Sequence, residues 1–372
     1  MKQRPRVVHL TTVHHAYDPR ILQREARSLA EGGYEVHLLA RHEKAEEWEG
    51  VRIHPLPQVS GRMRRLLLQR EALRKAIALK ADIYHFHDPE LIPLGAYLKK
   101  KTRARVIYDI HEEYWQRGVE GKIIAFLERW ALHWLDGVVS AHPSVHERVQ
   151  QYAPQLPAVC IMNYPLIHAR CPVESRSMHP LRLIYTGVMA RRRGLMRLLA
   201  LMREAKALGK DWQLILAGVG YLLEDLQEAE AFIAREGLTD CVIRYGWDEY
   251  LAYRHIESLL CEAHVGVYLS EPYPNILQSI PTKFYEFLHA GLPMVVSDFP
   301  HWRAFVEELG CGVVISPEDT QGIIARLSEW QEHPARYNEI ATRARKASEK
   351  FRWSIMEERL LDFYARLLHA EK

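Results

Sequence analysis

No stretch of this chain approaches the roughly 18 consecutive apolar residues that a membrane-crossing helix needs. The amino terminus, Met-Lys-Gln-Arg-Pro-Arg, runs straight into a short strand pattern instead of the apolar region of a secretory leader, so a cytoplasmic protein is expected. Cysteine is scarce: Cys160, Cys171, Cys241, Cys261 and Cys311 are odd in number and lack Cys-x-x-Cys spacing. That argues against a disulfide framework and against a zinc site, and predicts reduced thiols, mostly in the core. A large surplus of one charge is also missing; the formal net charge of +3 does not imply nucleic-acid binding. The first strand pattern lacks Gly-x-Gly-x-x-Gly and enters Thr-Thr-Val-His-His at 11–15, which counts against a nicotinamide-dependent dehydrogenase.

What is present is ordinary globular composition, 48% hydrophobic and 26% charged over 372 residues, a length that favours two domains over one core. Short β-rich runs at 7–10, 36–39, 83–86, 106–109 and 137–140 alternate with helical segments. Their continuous apolar character is that of parallel strands covered on both faces. The alternation stops near Tyr164 to Pro180, where a Pro-, Ser- and Cys-containing segment has little periodicity. It resumes at 183–187, 214–218, 242–246, 265–269, 294–297 and 313–315. The prediction is an α/β chain of two doubly wound domains: residues 1–165, a linker over 166–180, and 181–353. An amphipathic stretch at about 354–372 follows Phe351-Arg-Trp353-Ser354.

Positive charge is uneven. Arg62, Arg64, Arg65, Arg70, Arg74, Lys75 and Lys80 face the single acid Glu71, with Met63, Leu66, Leu67, Leu73 and Ile77 at helical spacing. A second cluster follows at Lys99-Lys-Lys-Thr-Arg-Ala-Arg105. Two readings stand: solvated helix faces, or contact with anionic lipid headgroups through Arg62, Arg64, Arg65 and Arg70.

Ligand-binding groups are expected at the carboxyl ends of the strands. The turn Tyr185-Thr-Gly187-Val188 through Arg191-Arg192-Arg193-Gly194 has the composition to hold a diphosphate with backbone amides and a guanidinium, or to be a surface turn with exposed arginines. Gly218 and Gly220 permit close backbone approach. Trp247 is either a stacking face for a base or a core residue. The most informative segment is Gln278-Ser279-Ile280-Pro-Thr282-Lys283-Phe-Tyr-Glu286, closing at Ala-Gly291-Leu-Pro before the apolar run 294–296. It sets a cation and an acid three residues apart at a helix start, suited to a charged, polyhydroxylated ligand, or an ordinary surface pair. In the amino-terminal half, His14, Asp18 and Arg20 follow the first strand; they are acceptor-reading groups or, for Asp18 and Arg20, a helix cap and a partner for Glu25. His85-Phe-His87-Asp88 and Asp109-Ile-His111 complete the polar set, and His-x-His-Asp also suggests a metal.

These segments together resemble the nucleotide-sugar glycosyltransferases of GT-B architecture, in particular glycosyltransferase family 4, over nearly the whole chain. The resemblance implies two Rossmann-like domains facing across a cleft and a last helix returning to the amino-terminal domain. It implies a retaining transferase moving a hexose or N-acetylhexosamine from a nucleotide diphosphate sugar, a UDP-sugar favoured and a GDP-sugar allowed, to a glycan or lipid-linked acceptor in cell-surface polysaccharide synthesis. No cofactor and no metal are expected, and no nucleic-acid partner; a peripheral position on the inner membrane face fits the basic helix. Glu286 is implied to accept from the ribose hydroxyls, and Gln278, Ser279, Ile280 and Thr282 to meet the sugar and phosphates. Gly187, Gly218 and Trp247 are implied to line the nucleotide, and Arg193 and Lys283 to neutralise the leaving diphosphate. His111 is implied to contact the transferred sugar, while His14, Asp18, Arg20 and His87 are acceptor-side candidates. The family commonly carries arginine where Val188 stands, lysine where Arg193 stands and glutamate where Gln278 stands. Two other readings remain open: an enzyme like UDP-N-acetylglucosamine 2-epimerase, whose extra acid and base carboxylates are not recognisable here, and a catalytically degenerate scaffold.

Overall fold

The computed structural model describes residues 4–59, 62–111, 118–167, 171, 177–249, 251–277 and 279–369; the side chains of 62–66, 118–120, 274 and 275 are also outside the described set. The chain divides into two compact units, Met1–Asn163 with Trp353–Lys372, and Tyr164–Arg352. Apolar β-branched runs form the strands because every one of their faces is covered: Val7, Val8, Leu38, Ile83, Val106 and Val138 are almost wholly buried in the first unit, and Leu183, Leu214, Val265 and Val295 in the second.

In the first unit the strands are β1 (Arg6–His15), β2 (Glu35–Arg41), β3 (Glu46–Trp48), β4 (Val51–Leu56), β5 (Ile83–Phe86), β6 (Arg105–Ile110), β7 (Gly137–Ser140) and β8 (Ala158–Cys160). They lie in the order β3-β4-β2-β1-β5-β6-β7-β8. All neighbours are parallel except the short edge pair β3 and β4. β3, β4 and β8 were not expected from sequence. β3 and β8 are three-residue edge strands, and β4, Val-Arg-Ile-His-Pro-Leu, alternates in polarity and contains a proline tolerable near a sheet edge.

The second unit holds β9 (Leu181–Thr186), β10 (Trp212–Ala217), β11 (Val242–Tyr245), β12 (Val265–Tyr268), β13 (Met294–Ser297) and β14 (Gly312–Ile315), ordered β11-β10-β9-β12-β13-β14 and all parallel. In each sheet the winding direction reverses beside the first strand, between β1 and β5 and between β9 and β12. Adjacent loops part there and leave a crevice for ligands.

The last helix, Trp353–His369, packs on the first unit. Trp353 Nε1 donates to Ser28 Oγ at 2.9 Å, and Leu361 and Phe363 press against Gly32 and Gly137. The helix Arg62–Leu79 corrects one sequence reading: its buried stripe is Leu68, Ala72 and Ala76, whereas Leu67 and Ile77 are exposed. Arg70 and Arg74 are exposed, but Lys75 is tied to Glu71 and to the Pro55 carbonyl. The side chains of Arg62, Arg64 and Arg65 lie outside the described residues. Of the second basic cluster, Lys99 and Arg105 both pair with Asp136, leaving Lys100, Lys101 and Arg103 outward.

A further correction concerns the cysteines. Cys171 and Cys261, 90 residues apart, form a disulfide with Cα atoms 4.9 Å apart. Sequence spacing carries no sign of a pair brought together by tertiary folding. Cys160, Cys241 and Cys311 are free thiols, and burial pushes the Cys311 thiol up to about 12.

Candidate active site

In the second unit the loops after β9 and β10 meet through glycine. Gly187 has φ of +122° and Gly218 of +147°; a side chain on Gly218 would lie 1.9 Å from the Gly187 carbonyl oxygen, and one on Gly187 would meet Lys283 Nζ at 3.4 Å. Only glycine permits both the backbone angles and the approach. The turn Arg191–Arg193 then separates its three arginines. Arg191 is exposed and pairs with Glu228, and Arg192 lies over the Tyr273 ring at 5.5 Å. Arg193 alone is half-buried, and its buried Nε has no hydrogen-bond partner among the described residues.

Lys283 enters from the helix Thr282–Ala290, whose amino terminus has no side-chain cap hydrogen bond. First-turn amides left without an intrahelical partner favour an anion. Lys283 is 5% exposed, with Nζ 4.0 Å from the Tyr268 ring centre and 5.1 Å from that of Tyr185. Burial, then the Arg193 charge, pulls its ammonium down to about 7, while Glu286 acts in the opposite direction. The surface-pair reading of Lys283 and Glu286 is therefore overturned, because Lys283 is inside. Glu286 is half-buried and accepts from Thr186 Oγ1 at 3.2 Å. Gly187, Arg193, Lys283 and Glu286 thus gather at one switch point.

The neighbouring loop is less convergent. The Ser279 carbonyl accepts from Trp302 Nε1 at 3.0 Å, Ile280 packs against the core and Thr282 is exposed. Gln278 lies outside the described residues. Val188 sits at the same turn, its carbonyl accepting from Tyr185 OH at 2.9 Å. Trp247 is buried at 7% with Arg244 over its ring at 5.5 Å, so it is a core residue and corrects the base-stacking expectation.

In the first unit the switch point is polar to an unusual depth. Asp109, fully buried at the end of β6, accepts two hydrogen bonds from Arg20, at 3.0 Å each, and lies 2.8 Å from His111 Nε2 and 3.2 Å from His87 Nδ1. Arg20 spends its other donors on the Ile161 carbonyl and Asn163, and pairs with Glu25 at 3.0 Å. Asp18 accepts from the amides of Arg20 and Ile21 at 2.8 and 2.9 Å, capping the π-helical turn Ile21–Ala26. The capping and pairing alternative is the one found, and Arg20 at 5% exposure is corrected from an acceptor-reading group to an internal strut. His87 is likewise buried at 1%.

His14 and His111 keep contact with solvent, at 27% and 11% side-chain exposure, with ring centres 5.2 Å apart. His14 also lies 3.3 Å from Asp18 and 3.6 Å from Asp88. Burial opposes its protonation, but the Asp18 hydrogen bond and the charges of Asp18, Asp88 and Asp109 outweigh it and raise its pKa. Asp88 anchors the carboxyl-terminal half of β1 by accepting from Thr12 N at 2.6 Å and from Thr11 Oγ1 at 3.0 Å.

Comparisons with known proteins follow this division of labour. A glycosyl transferase 4-like domain matches residues 19–163, and a glycosyl transferases group 1 domain matches 180–333, between them most of the chain. The chain is a group 1 glycosyltransferase. Among proteins of curated function none matches the sequence. Solved structures show that this glycosyltransferase has the GT-B fold. The sucrose-phosphate synthase of Thermosynechococcus elongatus is 18% identical with a TM-score of 0.70, over 99% of this chain and 100% of the other. HepE of Anabaena, solved with UDP and glucose, is 14% identical with a TM-score of 0.71, over 98% and 100%. The catalytic domain of starch synthase IV from Arabidopsis thaliana, bound to ADP and acarbose, is 12% identical with a TM-score of 0.67, over 99% and 100%. Sequence reasoning placed Asp109 only in the polar set and Tyr185 and Thr186 only in the diphosphate turn, with no role of their own in the glycosyltransferase site, and did not single out Tyr268. Asp109 had a visible signal, an acid at a strand end two residues before a histidine; the tyrosines read as ordinary strand residues.

Proposed function

We propose that this glycosyltransferase transfers a hexose or N-acetylhexosamine, with retention, from a nucleotide diphosphate sugar, most simply a UDP-sugar, to a glycan or lipid-linked acceptor of cell-surface polysaccharide. The observation that carries the donor assignment is the convergence of Arg193 and Lys283 at Gly187, with Glu286 held by Thr186. Two cations, one with an unpartnered buried donor, suit a diphosphate. A carboxylate such as that of Glu286 is the group type that accepts from ribose hydroxyls. Departure of a nucleoside diphosphate from an anomeric carbon builds negative charge on its oxygens, which preorganised cations and helix amides stabilise without the reorganisation water would need. The proposal has them act without a metal or cofactor at the donor.

His111 and His14 are proposed to meet sugar hydroxyls from the amino-terminal unit, with Asp109 orienting His111. A cavity of about 620 Å³ opens beside Ile110, one residue before His111, lined by Phe126, Arg129, Arg148 and Tyr152. Exposed Ile123, Phe126 and Trp130 lie on the same helix, Gly118–Ala131. The apolar part of that lining supports a lipid-linked acceptor, its arginines lying beside Glu128 and Glu147, and exposed Arg70 and Arg74 support a peripheral place at an anionic membrane. Among the described residues no helix is long and apolar enough to cross a membrane. The discriminating experiment is a thermal-shift screen against UDP, GDP, ADP and their common sugar conjugates, with Glu286→Ala as control. A selective shift with one nucleotide in the wild type, lost in Glu286→Ala, is expected; no shift with any nucleotide would refute the donor assignment.

A further inference from the structure

Beneath the His14 and His111 pair, four side chains from three elements meet in the interior: His9 of β1, His85 at the end of β5, His87 just beyond it, and Glu25 of the π-helical turn. His9, Glu25 and His85 are fully buried and His87 is 1% exposed. One ligand-type atom from each lies within 4.8 Å of the other three. Several atoms of this set already have partners. His9 Nδ1 is 2.9 Å from His87 Nε2, His87 Nδ1 is 3.2 Å from Asp109, His85 Nδ1 is 2.6 Å from Tyr364 OH, and Glu25 Oε1 pairs with Arg20 at 3.0 Å. His9 Nε2, His85 Nε2 and Glu25 Oε2 are buried without a hydrogen bond among the described residues.

Ionised Asp109 fixes the protons of His87 and His9, and taking Tyr364 as the acceptor completes one pattern. Ionised Asp109 accepts from His87 Nδ1–H, His87 Nε2 accepts from His9 Nδ1–H, and Tyr364 oxygen accepts from His85 Nδ1–H. That assignment leaves a bare lone pair on Nε2 of both His9 and His85. A metal-bound histidine usually donates its other ring N–H to a protein acceptor, which fixes its tautomer and orientation. Tyr364 and the His87–Asp109 pair stand where those acceptors would be.

We propose that His9 Nε2, His85 Nε2 and the Glu25 carboxylate form a buried site for a divalent first-row metal, with zinc the fitting ion for two imidazoles and a carboxylate. Glu25 ligates through Oε2 while Oε1 stays with Arg20, a buried water completes the fourth position, and His87 orients His9 from behind without ligating. Metal-to-ligand distances of about 2.0–2.2 Å require the ligand atoms to close by roughly 1 Å from their present spread; Glu25, with its flexible stem, makes that movement. The metal would tie the π-helical turn to β1 and β5, below His111, and is separate from the donor site.

The test uses the untagged full chain, passed through chelator and refilled with Zn2+ or Co2+ alone. One equivalent of zinc retained after gel filtration, a rise in Tm on refilling, and the visible bands of four-coordinate Co2+ are expected. Glu25→Gln, which keeps shape and volume, and His85→Phe should each lower zinc retention at least tenfold; the wild-type Co2+ spectrum decides the matter even if His85→Phe does not fold. Less than a tenth of an equivalent in the wild type would overturn the proposal and leave a buried water bridging these atoms. Retention undiminished in Glu25→Gln would overturn it equally, placing the zinc elsewhere.

Discussion

Lys283 makes the donor site's affinity depend on pH in a way that follows from its burial. Its ammonium is 5% exposed, near the positive amino end of a helix and beside Arg193, and its pKa falls to about 7. A diphosphate beside it reverses the balance. A unit charge at about 4 Å in an effective dielectric of about 20 is worth about 4 kcal/mol, or about 3 pKa units at 1.36 kcal/mol each. The bound-state pKa therefore returns to about 10. Below pH 7 Lys283 is charged before the ligand arrives, and affinity is flat. Above pH 7 binding must first take up a proton, so affinity falls almost tenfold per pH unit, about 100-fold in all from pH 6 to 9. Arg193 stays charged throughout and adds no slope. A nucleotide sugar has no phosphate monoester to titrate in this window, so the slope belongs to the protein. Isothermal titration calorimetry with UDP-glucose, or with the conjugate that the thermal-shift screen selects, measures it. Repeating the titration at pH 8 in two buffers of different ionisation enthalpy counts the protons, with uptake approaching one per ligand expected. Affinity constant within twofold from pH 6 to 9, or no proton uptake at pH 8, would refute the reasoning.

Three further outcomes are expected. Gly218→Ala sets a methyl group 1.9 Å from the Gly187 carbonyl at φ of +147° and should cost about 3 kcal/mol, read as a lowered denaturant midpoint. His111→Ala should lower turnover at least 100-fold with a stability change near 1 kcal/mol, whereas Asp109→Asn, which removes one of the two carboxylates paired with the buried Arg20 guanidinium, should cost about 3 kcal/mol; equal stability losses in the two would contradict the network described. Burial raises the Glu128 carboxyl to about 7 against the pull of Arg148 and Tyr108, so between its ordinary 4.5 and 7 the folded state holds the extra proton and stability falls as pH rises through that window. By about 3 kcal/mol at most, Glu128→Gln should then stabilise the protein at pH 8 and not at pH 4.5, as denaturant titration at both values will show.

The sequence by itself determined that the chain folds as two doubly wound parallel sheets, though not the order of their strands. A strand covered on both faces must be continuously apolar, and runs such as Val-Ile-Tyr-Asp and Met-Val-Val-Ser can be little else. It also determined that Lys283 and Glu286 share a helix start, because three residues of separation fix that locally. Only the tertiary structure decided what those residues face. Edge strands such as β3 and β8 are too short to carry a pattern, and the stripe Leu68, Ala72 and Ala76 was buried in place of larger neighbours because the sheet beneath selects one helix face. Arg20 and His87 look like surface reagents in a polar motif, yet folding sets them against Asp109, 89 and 22 residues away. Cys171 and Cys261 became partners across 90 residues. The buried Nε2 atoms of His9 and His85, 76 residues apart on strands β1 and β5 that are adjacent only in the sheet, follow the same rule. Local chemistry is written along the chain, whereas burial and partnership arise from contacts between segments that no local spacing records.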